Sequence, residues 1–382
     1  MNRAKLSVLV FMVVLSLFFV TPTCNRSGTT ALRIGCITPL TGDGATYGAA
    51  TKRGLDLAAG GINADAGVDG KRIEIVYEDD QMDPRTATNA IQKLISIDKV
   101  PVIIGAFGSS ITLAIAPIAE KNKVVLFSAS STADAIKDAG DYIFRNVPPN
   151  HAQGKTAAEF VLIYLKATTA SILRMNNDYG VSLTDAFAGS FETGGGKVLS
   201  IDSYNPGATD FRAQLTKIRS VRPEIVFFPG HYQESGLILK QAKELGVNAT
   251  FVGGDGSYSP DLVQIAGRAA EGSYYTLMAM GYGTSDQEIA KFTTAFKKAY
   301  GQDPDVYSAY AYDALMMIAK AIQIGGYSGP GVKSALYAIK GFKGVTGITQ
   351  FDSYGEVDKP FGVYEVKGGK FEFVPWQKGA IK

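Results

Sequence analysis

The chain has 382 residues, of which 46% are hydrophobic and 19% are charged, and its formal net charge is +2. This length is enough for two domains, each with a core of its own. The small net charge gives no reason to expect electrostatic binding to nucleic acid or to an anionic membrane surface.

The first residues have the composition of an export signal. Arg3 and Lys5 precede an almost wholly apolar run, Leu6 to Val20, and a short polar exit follows it. A basic start and an apolar run of about 15 residues are typical of a signal peptide, whereas a membrane span needs about 18. We therefore predict that residues 1–23 are an export signal and that the mature protein is periplasmic or otherwise extracytoplasmic.

The two cysteines have different expected roles. Cys24 stands where a bacterial lipoprotein signal places its acylated cysteine, although Thr21-Pro22-Thr23 differs from the usual Leu-Ala-Gly type of residues. Lipidation of Cys24 therefore stays open, and such an anchor is the one membrane contact that the sequence suggests. Cys36 lies in an apolar strand, so we expect a buried small hydrophobic residue and no structural disulfide.

Strand-like apolar runs alternate with amphipathic helical stretches along most of the chain. The predicted strands are 32–38, 72–77, 101–105, 124–127, 142–145, 169–174, 197–201, 224–228, 250–253 and 273–277, with short later ones near 349–352 and 361–374. The predicted helices are 47–63, 84–96, 110–121, 153–166, 181–193, 209–219, 232–245, 259–267, 285–300, 304–325 and 330–340. This alternation with short connections predicts an α/β fold with parallel sheets covered by helices.

Four segments repeat one pattern, in which a strand is followed by a turn rich in Gly or Ser and then by a helix. The first half contains VIIGAFGSSITLA and VVLFSASSTADAI, and the second half contains IVFFPGHYQESGLIL and TFVGGDGSYSPDL. Ligands bind at the carboxyl ends of strands in open parallel sheets. Two sheets that face each other would therefore bring the four turns together across a cleft.

The two turns of the first half offer hydroxyls and backbone amides without a formal charge. Ser109 lies at a predicted helix start, and Ser130, Ser131 and Thr132 occupy the next turn, with Asp134 expected to begin another helix. Unpaired N–H groups and the helix dipole favour an anion at such a position. A small carboxylate fits better than a phosphate, for which Lys or Arg would be expected. The alternative is that these residues only cap helices.

The turns of the second half carry acids instead. Asp255 lies between two glycines, and Glu234 follows His231 by three positions. An anion seat on one wall and a carboxylate on the facing wall would together hold a zwitterion, although Asp255 could also be an ordinary turn residue. Tyr47, Tyr179 and Tyr307 could wall the pocket or simply pack in the core.

Signatures of an enzyme are missing from the sequence. There is no G-x-S-x-G turn for a nucleophile, and the glycine clusters match neither a dinucleotide-binding loop nor a phosphate-binding loop. His151 and His231 are the two histidines, far apart and without metal-ligand spacing. We therefore predict a binding protein that is not an enzyme and that uses no cofactor and no metal.

Taken together, the motifs resemble the periplasmic leucine/isoleucine/valine-binding proteins of branched-chain amino-acid ABC transporters. The resemblance runs from residue 31 to about 378 and rests on the order and spacing of several segments. These are IGCITPLTGDGATYG, INADAGVDGKRIEIVYEDDQMDP, VIIGAFGSS, FSASSTA, NNDYG, PGHYQESGLILKQAKELG and GGDG.

The resemblance implies the type I periplasmic-binding fold, with two Rossmann-like lobes, parallel sheets flanked by helices, and a hinge of three crossovers. Lobe 1 would comprise 31–147 plus 277–360, and lobe 2 would comprise 148–276 plus 361–382. It further implies a monomer that binds a small-molecule ligand, closes over it, and passes it to the permease subunits of an ABC transporter.

The resemblance also implies roles for individual residues. Ser109 would bind the ligand carboxylate, Ser130 and Thr132 would contact the ligand beside it, and Asp255 would bind its ammonium group. The three tyrosines would line or close the side-chain pocket, and Ser131, His231 and Glu234 complete the candidate set.

Three departures from the family pattern leave the ligand open. Some members join two cysteines where this chain has Met82 and Gly108, His231 stands where Gly is frequent, and Asp255 stands where Glu is frequent. The expected ligand is a branched-chain aliphatic amino acid. Amides, γ-amino acids and aromatic acids are alternatives, as is a sensory rather than a transport role.

Overall fold

The computed structural model describes residues 31–278 and 285–376. The predicted export signal, Cys24, and the parts of both predicted lobes beyond these ranges lie outside the described residues. Within the described residues, none of the helices combines the length and the apolar character that a membrane crossing requires.

The strands of the described residues form two large sheets and one short hairpin. In chain order they are β1 (Leu32–Thr38), β2 (Ile73–Asp79), β3 (Val102–Ile104), β4 (Val125–Ser128), β5 (Ile143–Arg145), β6 (Thr169–Met175), β7 (Lys197–Tyr204), β8 (Ile225–Phe227), β9 (Thr250–Gly253), β10 (Tyr274–Met278), β11 (Phe342–Gly344), β12 (Gly347–Thr349), β13 (Phe361–Lys367) and β14 (Lys370–Val374). The first sheet has the order β2-β1-β3-β4-β5, and the second has the order β14-β13-β10-β9-β8-β6-β7.

Helices connect the strands and cover the sheets. They are α1 (Ala45–Ala64), α2 (Pro84–Ser96), α3 (Ser109–Asn122), α4 (Asn150–Glu159), α5 (Asp178–Thr193), α6 (Arg212–Val221), α7 (Tyr232–Glu244), α8 (Pro260–Ala266), α9 (Asp286–Tyr300), α10 (Val306–Gly325) and α11 (Gly329–Ala338). The starts of α2, α5 and α10 are fixed by side-chain caps, in which Asp83, Asn177 and Asp305 each accept a bond of 2.8 Å from an N–H of the first turn.

Most predicted elements are confirmed to within a few residues, and two predictions are wrong. The strand expected near 349–352 ends at Thr349 and pairs with an unpredicted strand, β11. Asp134 begins a short 3₁₀ turn, Asp134–Asp138, instead of an α-helix. Because β5 starts soon afterwards, at Ile143, too few residues remain for a full helix.

The expectation of parallel pairing holds for the first sheet but not for one edge of the second. All four strand pairs of the first sheet are parallel. In the second sheet β10 pairs antiparallel with β13, and β13 pairs antiparallel with β14. Gly368 and Gly369 connect the last two strands with φ angles of 57° and 75°. Such a two-residue turn with positive φ is the preferred connection of an antiparallel hairpin.

The crossing of α1 and α10 places two candidate residues beside each other. Gly54 of α1 lies so close to α10 that a Cβ atom there would be 2.1 Å from the carbonyl oxygen of Ser308. The glycine therefore allows the middle of α1 to touch the first turn of α10. Tyr47 lies in the first turn of α1 and Tyr307 in the first turn of α10, and their ring centres are 5.3 Å apart.

A buried ion pair supports the turn that follows β4. The Arg145 side chain is 1% exposed, and its Nη2 pairs with Glu356 Oε1. Arg145 Nη1 donates a bond of 2.8 Å to the carbonyl oxygen of Ala133. The pair thus joins the segment before β13 to the turn that carries Ser130, Ser131 and Thr132.

Removal of one partner from this pair tests its structural weight. We expect Glu356→Ala to lower the free energy of unfolding by about 3–5 kcal/mol, because Arg145 would keep a buried charge without a partner. Urea denaturation measures the change. The control is Asp358→Ala, which removes an exposed carboxylate from the same segment and should change stability by less than about 0.5 kcal/mol. Equal effects in the two variants would contradict the interpretation.

Candidate functional site

One small cavity lies between the carboxyl ends of the two sheets. Six of the sequence-predicted residues line it, namely Ser109, Ser130, Tyr179, His231, Asp255 and Tyr307. Its free volume is about 20 Å³, which is room for about one water molecule. We call it the inner cavity. It brings residues from all four repeated turns together, as the sequence pattern predicts.

The hydroxyl of Ser109 is oriented by backbone groups of the neighbouring turn. Its Oγ accepts bonds from the N–H groups of Thr132 and Ala133, at 3.2 and 3.1 Å. A serine hydroxyl has two acceptor sites and one donor, so two accepted bonds leave its proton free to donate to a ligand. Ser109 is also the first residue of α3, where the helix dipole favours negative charge. This wall is therefore suited to a carboxylate.

The remaining hydroxyls of this wall have different uses. Ser130 Oγ donates to the carbonyl oxygen of Phe107 at 2.9 Å, which leaves its acceptor sites towards the inner cavity. Ser131 Oγ bonds to Thr112 Oγ1 at 2.8 Å and donates to the carbonyl oxygen of Ala106 at 3.1 Å. Ser131 therefore holds two turns together and does not line the inner cavity. Thr132 does not line it either, and its buried Oγ1 has no hydrogen-bond partner within residues 31–278 and 285–376.

The facing wall presents a buried carboxylate, Asp255. Its Oδ1 accepts bonds from Gln153 Nε2 at 3.0 Å and from the Tyr179 hydroxyl at 2.9 Å. Burial raises the pKa of Asp255, and these two hydrogen bonds oppose the increase. Among the described residues no Lys or Arg lines the inner cavity, so a cationic ligand group would supply the missing counter-charge.

Tyr179 can approach Asp255 because the residue directly before Asp255 is a glycine, Gly254. A Cβ atom on Gly254 would lie 2.4 Å from the Tyr179 hydroxyl oxygen. The same hydroxyl accepts a bond of 3.1 Å from the N–H of Gly256. Burial raises the pKa of Tyr179 well above its usual value, so the phenol remains a neutral donor.

Three aromatic rings pack together at the inner cavity, and two of them, Phe107 and Tyr307, line it. Tyr47 stacks on Phe107 with ring centres 4.1 Å apart, and Phe107 meets Tyr307 edge-on at 5.1 Å. The Tyr47 hydroxyl donates to the carbonyl oxygen of Gly256, and the Tyr307 hydroxyl donates to that of Asp255. Tyr47 thus lies behind the lining and bonds directly to the facing wall.

His231 and Glu234 take different places from each other. His231 lines the inner cavity with its ring centre 6.0 Å from that of Tyr179. Burial lowers the pKa of His231 to about 4, so the imidazole is neutral at pH 7. Glu234 does not line the inner cavity, because its position in the first turn of α7 directs its Oε1 to the N–H of Gly207, at 2.9 Å.

Two residues of the site were missed by sequence reasoning. Gln153 lies on α4, outside the four turns, and no local signal marks it as a partner of Asp255. Phe107 could have been predicted from the sequence, because a large apolar residue in a turn otherwise made of small residues needs a place to pack. Within the described residues, no three His, Cys, Asp or Glu side chains converge as metal ligands would.

Two α/β sheets whose strand ends meet at a cavity lined by hydroxyls and a buried acid are the arrangement expected of a solute-binding protein. The profile of the periplasmic binding protein family matches residues 31–370. The chain belongs to this family, and its fold is the type I periplasmic-binding fold.

Individual relatives are similar over almost the whole chain. The leucine-, isoleucine-, valine-, threonine- and alanine-binding protein of Pseudomonas aeruginosa is 32% identical over 337 residues, which cover 87% of this chain and 89% of that protein. A leucine binding protein from Thermotoga maritima is 31% identical, with a TM-score of 0.86 over 90% of this chain and 98% of that chain. A branched-chain amino acid transporter substrate binding protein from Streptococcus pneumoniae, in complex with isoleucine, is also 31% identical, with a TM-score of 0.83 over 90% and 99% of the two chains.

Asp255 predicts a pH dependence of stability for the ligand-free protein. Its pKa is raised on folding, so the folded state holds the proton to higher pH than the unfolded state does. The Asp255 contribution to stability is therefore greatest below the unfolded-state pKa of about 3.9 and is lost as pH rises towards the folded-state value.

Asp255→Asn should remove this dependence. The amide keeps an oxygen for Gln153 and Tyr179 but carries no charge, so we expect a higher thermal midpoint than that of the parent at pH 7. The difference should shrink as pH falls towards 4, and calorimetry without ligand measures it. A lower midpoint at pH 7 would contradict the burial of an uncompensated charge.

Proposed function

We propose that this protein is an extracytoplasmic solute-binding protein that captures an amino acid, with a branched aliphatic side chain as the expected type, and delivers it to an ABC permease. The observation that carries the proposal is the pairing of opposite seats across the inner cavity. Ser109 and the start of α3 suit a carboxylate, and Asp255 suits an ammonium group.

The relatives support the same ligand class. The names of the Pseudomonas aeruginosa and Thermotoga maritima proteins state that they bind leucine, and the Streptococcus pneumoniae structure contains isoleucine. The family consists of solute-binding proteins, which agrees with a role that requires no catalysis.

The proposed lobes are 31–147 plus 277–360 and 148–276 plus 361–382, each built around one of the two sheets. Closure would bring Tyr47 and Tyr307 of lobe 1 onto the backbone of Asp255 and Gly256 in lobe 2. A ligand that contacts both walls prefers this arrangement and shifts the population towards it by that difference in free energy. The permease would then recognise the closed shape.

Calorimetric titration of residues 25–382, unfolded and refolded to strip bound ligand, tests the proposal. We expect micromolar or tighter binding of leucine, isoleucine or valine. Asp255→Asn should weaken that binding by about 10- to 150-fold, because a charge-assisted bond is worth about 1.5–3 kcal/mol. The control is Asp178→Asn, which neutralises an exposed acid at the start of α5. Unchanged affinity in Asp255→Asn would remove the ammonium seat from the proposal.

The two serines of the first wall should differ in their effect. Ser109 has its proton free for a carboxylate, so Ser109→Ala should weaken leucine binding by about tenfold or more. Ser130 already spends its proton on Phe107, so Ser130→Ala should have a smaller effect. The same titration measures both variants, and a larger loss in Ser130→Ala would reverse the assigned roles.

A further inference from the structure

Asp134 connects the turn after β4 to two helices that cover the second sheet. Its Oδ1 accepts a bond of 3.1 Å from the N–H of His151, at the start of α4, and lies 2.7 Å from His151 Nδ1. Its Oδ2 accepts a bond of 3.1 Å from the hydroxyl of Ser182, on α5. The same hydroxyl accepts a bond of 3.1 Å from the N–H of Asp134. Residues of the proposed lobe 2 therefore hold both the main chain and the side chain of Asp134.

The main chain directly before Asp134 holds the hydroxyl of Ser109. The N–H groups of Thr132 and Ala133 donate to Ser109 Oγ at 3.2 and 3.1 Å. Because these two bonds occupy both acceptor sites of the hydroxyl, they determine where its remaining proton points. The position of residues 132–134 therefore sets the direction of the Ser109 donor.

The two ends of this turn are held from different sides. At the early end, within the proposed lobe 1, Ser128 Oγ accepts a bond of 3.0 Å from the N–H of Ser131. At the late end the carbonyl oxygen of Thr132 accepts a bond of 2.7 Å from the N–H of Asn150, and Asp134 has its partners on α4 and α5. The part of the turn that orients Ser109 is thus the part that the facing half of the molecule holds.

Helix capping explains only some of the contacts of Asp134. Helix α4 begins after Pro149, which makes no side-chain cap, and Asp134 Oδ1 takes that place by accepting the N–H of His151. The two bonds with Ser182 are not part of this cap, because Ser182 lies on a different helix. One of them restrains the main chain of Asp134 itself. A role beyond capping is therefore needed.

We infer that Asp134 is a positioning residue of the carboxylate seat, which holds residues 132–134 so that the Ser109 hydroxyl donates to the carboxylate of the ligand. The inference rests on the proposed function, since it assigns a task in the same site to a residue that does not line the inner cavity. The seat on the first wall then takes its final geometry from helices of the second lobe.

A double-mutant cycle between Asp134→Ala and Ser109→Ala tests the inference. Asp134 is half-buried, so we expect Asp134→Ala to weaken leucine binding by about fivefold, as the Ser109 proton loses its fixed direction. In the Ser109→Ala background the same substitution should weaken binding by less than about twofold, since the hydroxyl through which Asp134 acts is absent. Calorimetric titration of the refolded proteins with leucine measures all four.

The control is Asp138→Ala, which removes an exposed carboxylate from the same 3₁₀ turn and should leave the affinity unchanged. An equal loss from Asp134→Ala in both backgrounds would overturn the inference, because weaker capping of α4 or weaker closure acts independently of the Ser109 hydroxyl. An affinity of Asp134→Ala equal to that of the parent would overturn it as well. If the parent protein binds none of leucine, isoleucine and valine, the proposed function fails and the inference fails with it.

Ser182→Ala decides the question if Asp134→Ala does not fold. This substitution removes both bonds between Asp134 and α5, leaves the cap of α4 in place, and introduces a residue that favours a helix. We expect leucine binding to weaken by about threefold in the parent background and by less than about 1.5-fold in the Ser109→Ala background. Equal losses in the two backgrounds, or no loss in either, would contradict the assigned role.

Discussion

A carboxylate buried between two sheets, with no cation beside it in the part of the chain that the structure describes, is the constraint on which the rest of the site depends. Asp255 receives two hydrogen bonds from neutral donors, Gln153 and Tyr179, and these offset only part of its loss of water. The neighbouring residues allow these two donors to reach the Asp255 carboxylate. Gly254 leaves room for the Tyr179 phenol. Helix α4 begins at Asn150, which places Gln153 within hydrogen-bond distance of the Asp255 carboxylate. The second wall thereby carries a buried carboxylate whose loss of hydration is only partly compensated.

The opposite wall is organised by hydroxyls that look alike in the sequence and act differently in the fold. Ser109 accepts two backbone bonds and keeps its proton, Ser130 gives its proton to a carbonyl, and Ser131 joins two turns. The sequence alone shows three serines near two predicted strand ends. Only the direction of each hydrogen bond separates a residue that can donate to a ligand from one that positions its neighbours.

The same distinction separates the features that could be predicted from the sequence from those that only the fold shows. Strand and helix positions were predictable because apolar periodicity is a local property. The convergence of Ser109 and Asp255 on one cavity was predictable because strand ends in a parallel sheet are fixed by topology. Gln153 was not predictable, because it lies on α4, 102 residues before its partner Asp255 along the chain. Glu234 has the right chemistry and lies near the right turn, yet its place on α7 turns it towards Gly207. The antiparallel edge of the second sheet was missed because the Gly368–Gly369 turn was not recognised.

The bonds of Tyr47 and Tyr307 to the carbonyl oxygens of Gly256 and Asp255 join the two walls through groups that belong to the protein alone. Both acceptors are main-chain atoms, so no exchange of side chain in the facing wall removes them. Under the proposed function, the free energy of closure would have a fixed part, set by the two phenols, and a variable part, set by the ligand. A weakly bound ligand could then stabilise the same closed conformation of the protein as a tightly bound one, because the ligand has to supply only the part of the free energy of closure that the two tyrosines do not. Under the proposed function, the selectivity among ligands and the geometry presented to the permease would be controlled by different atoms.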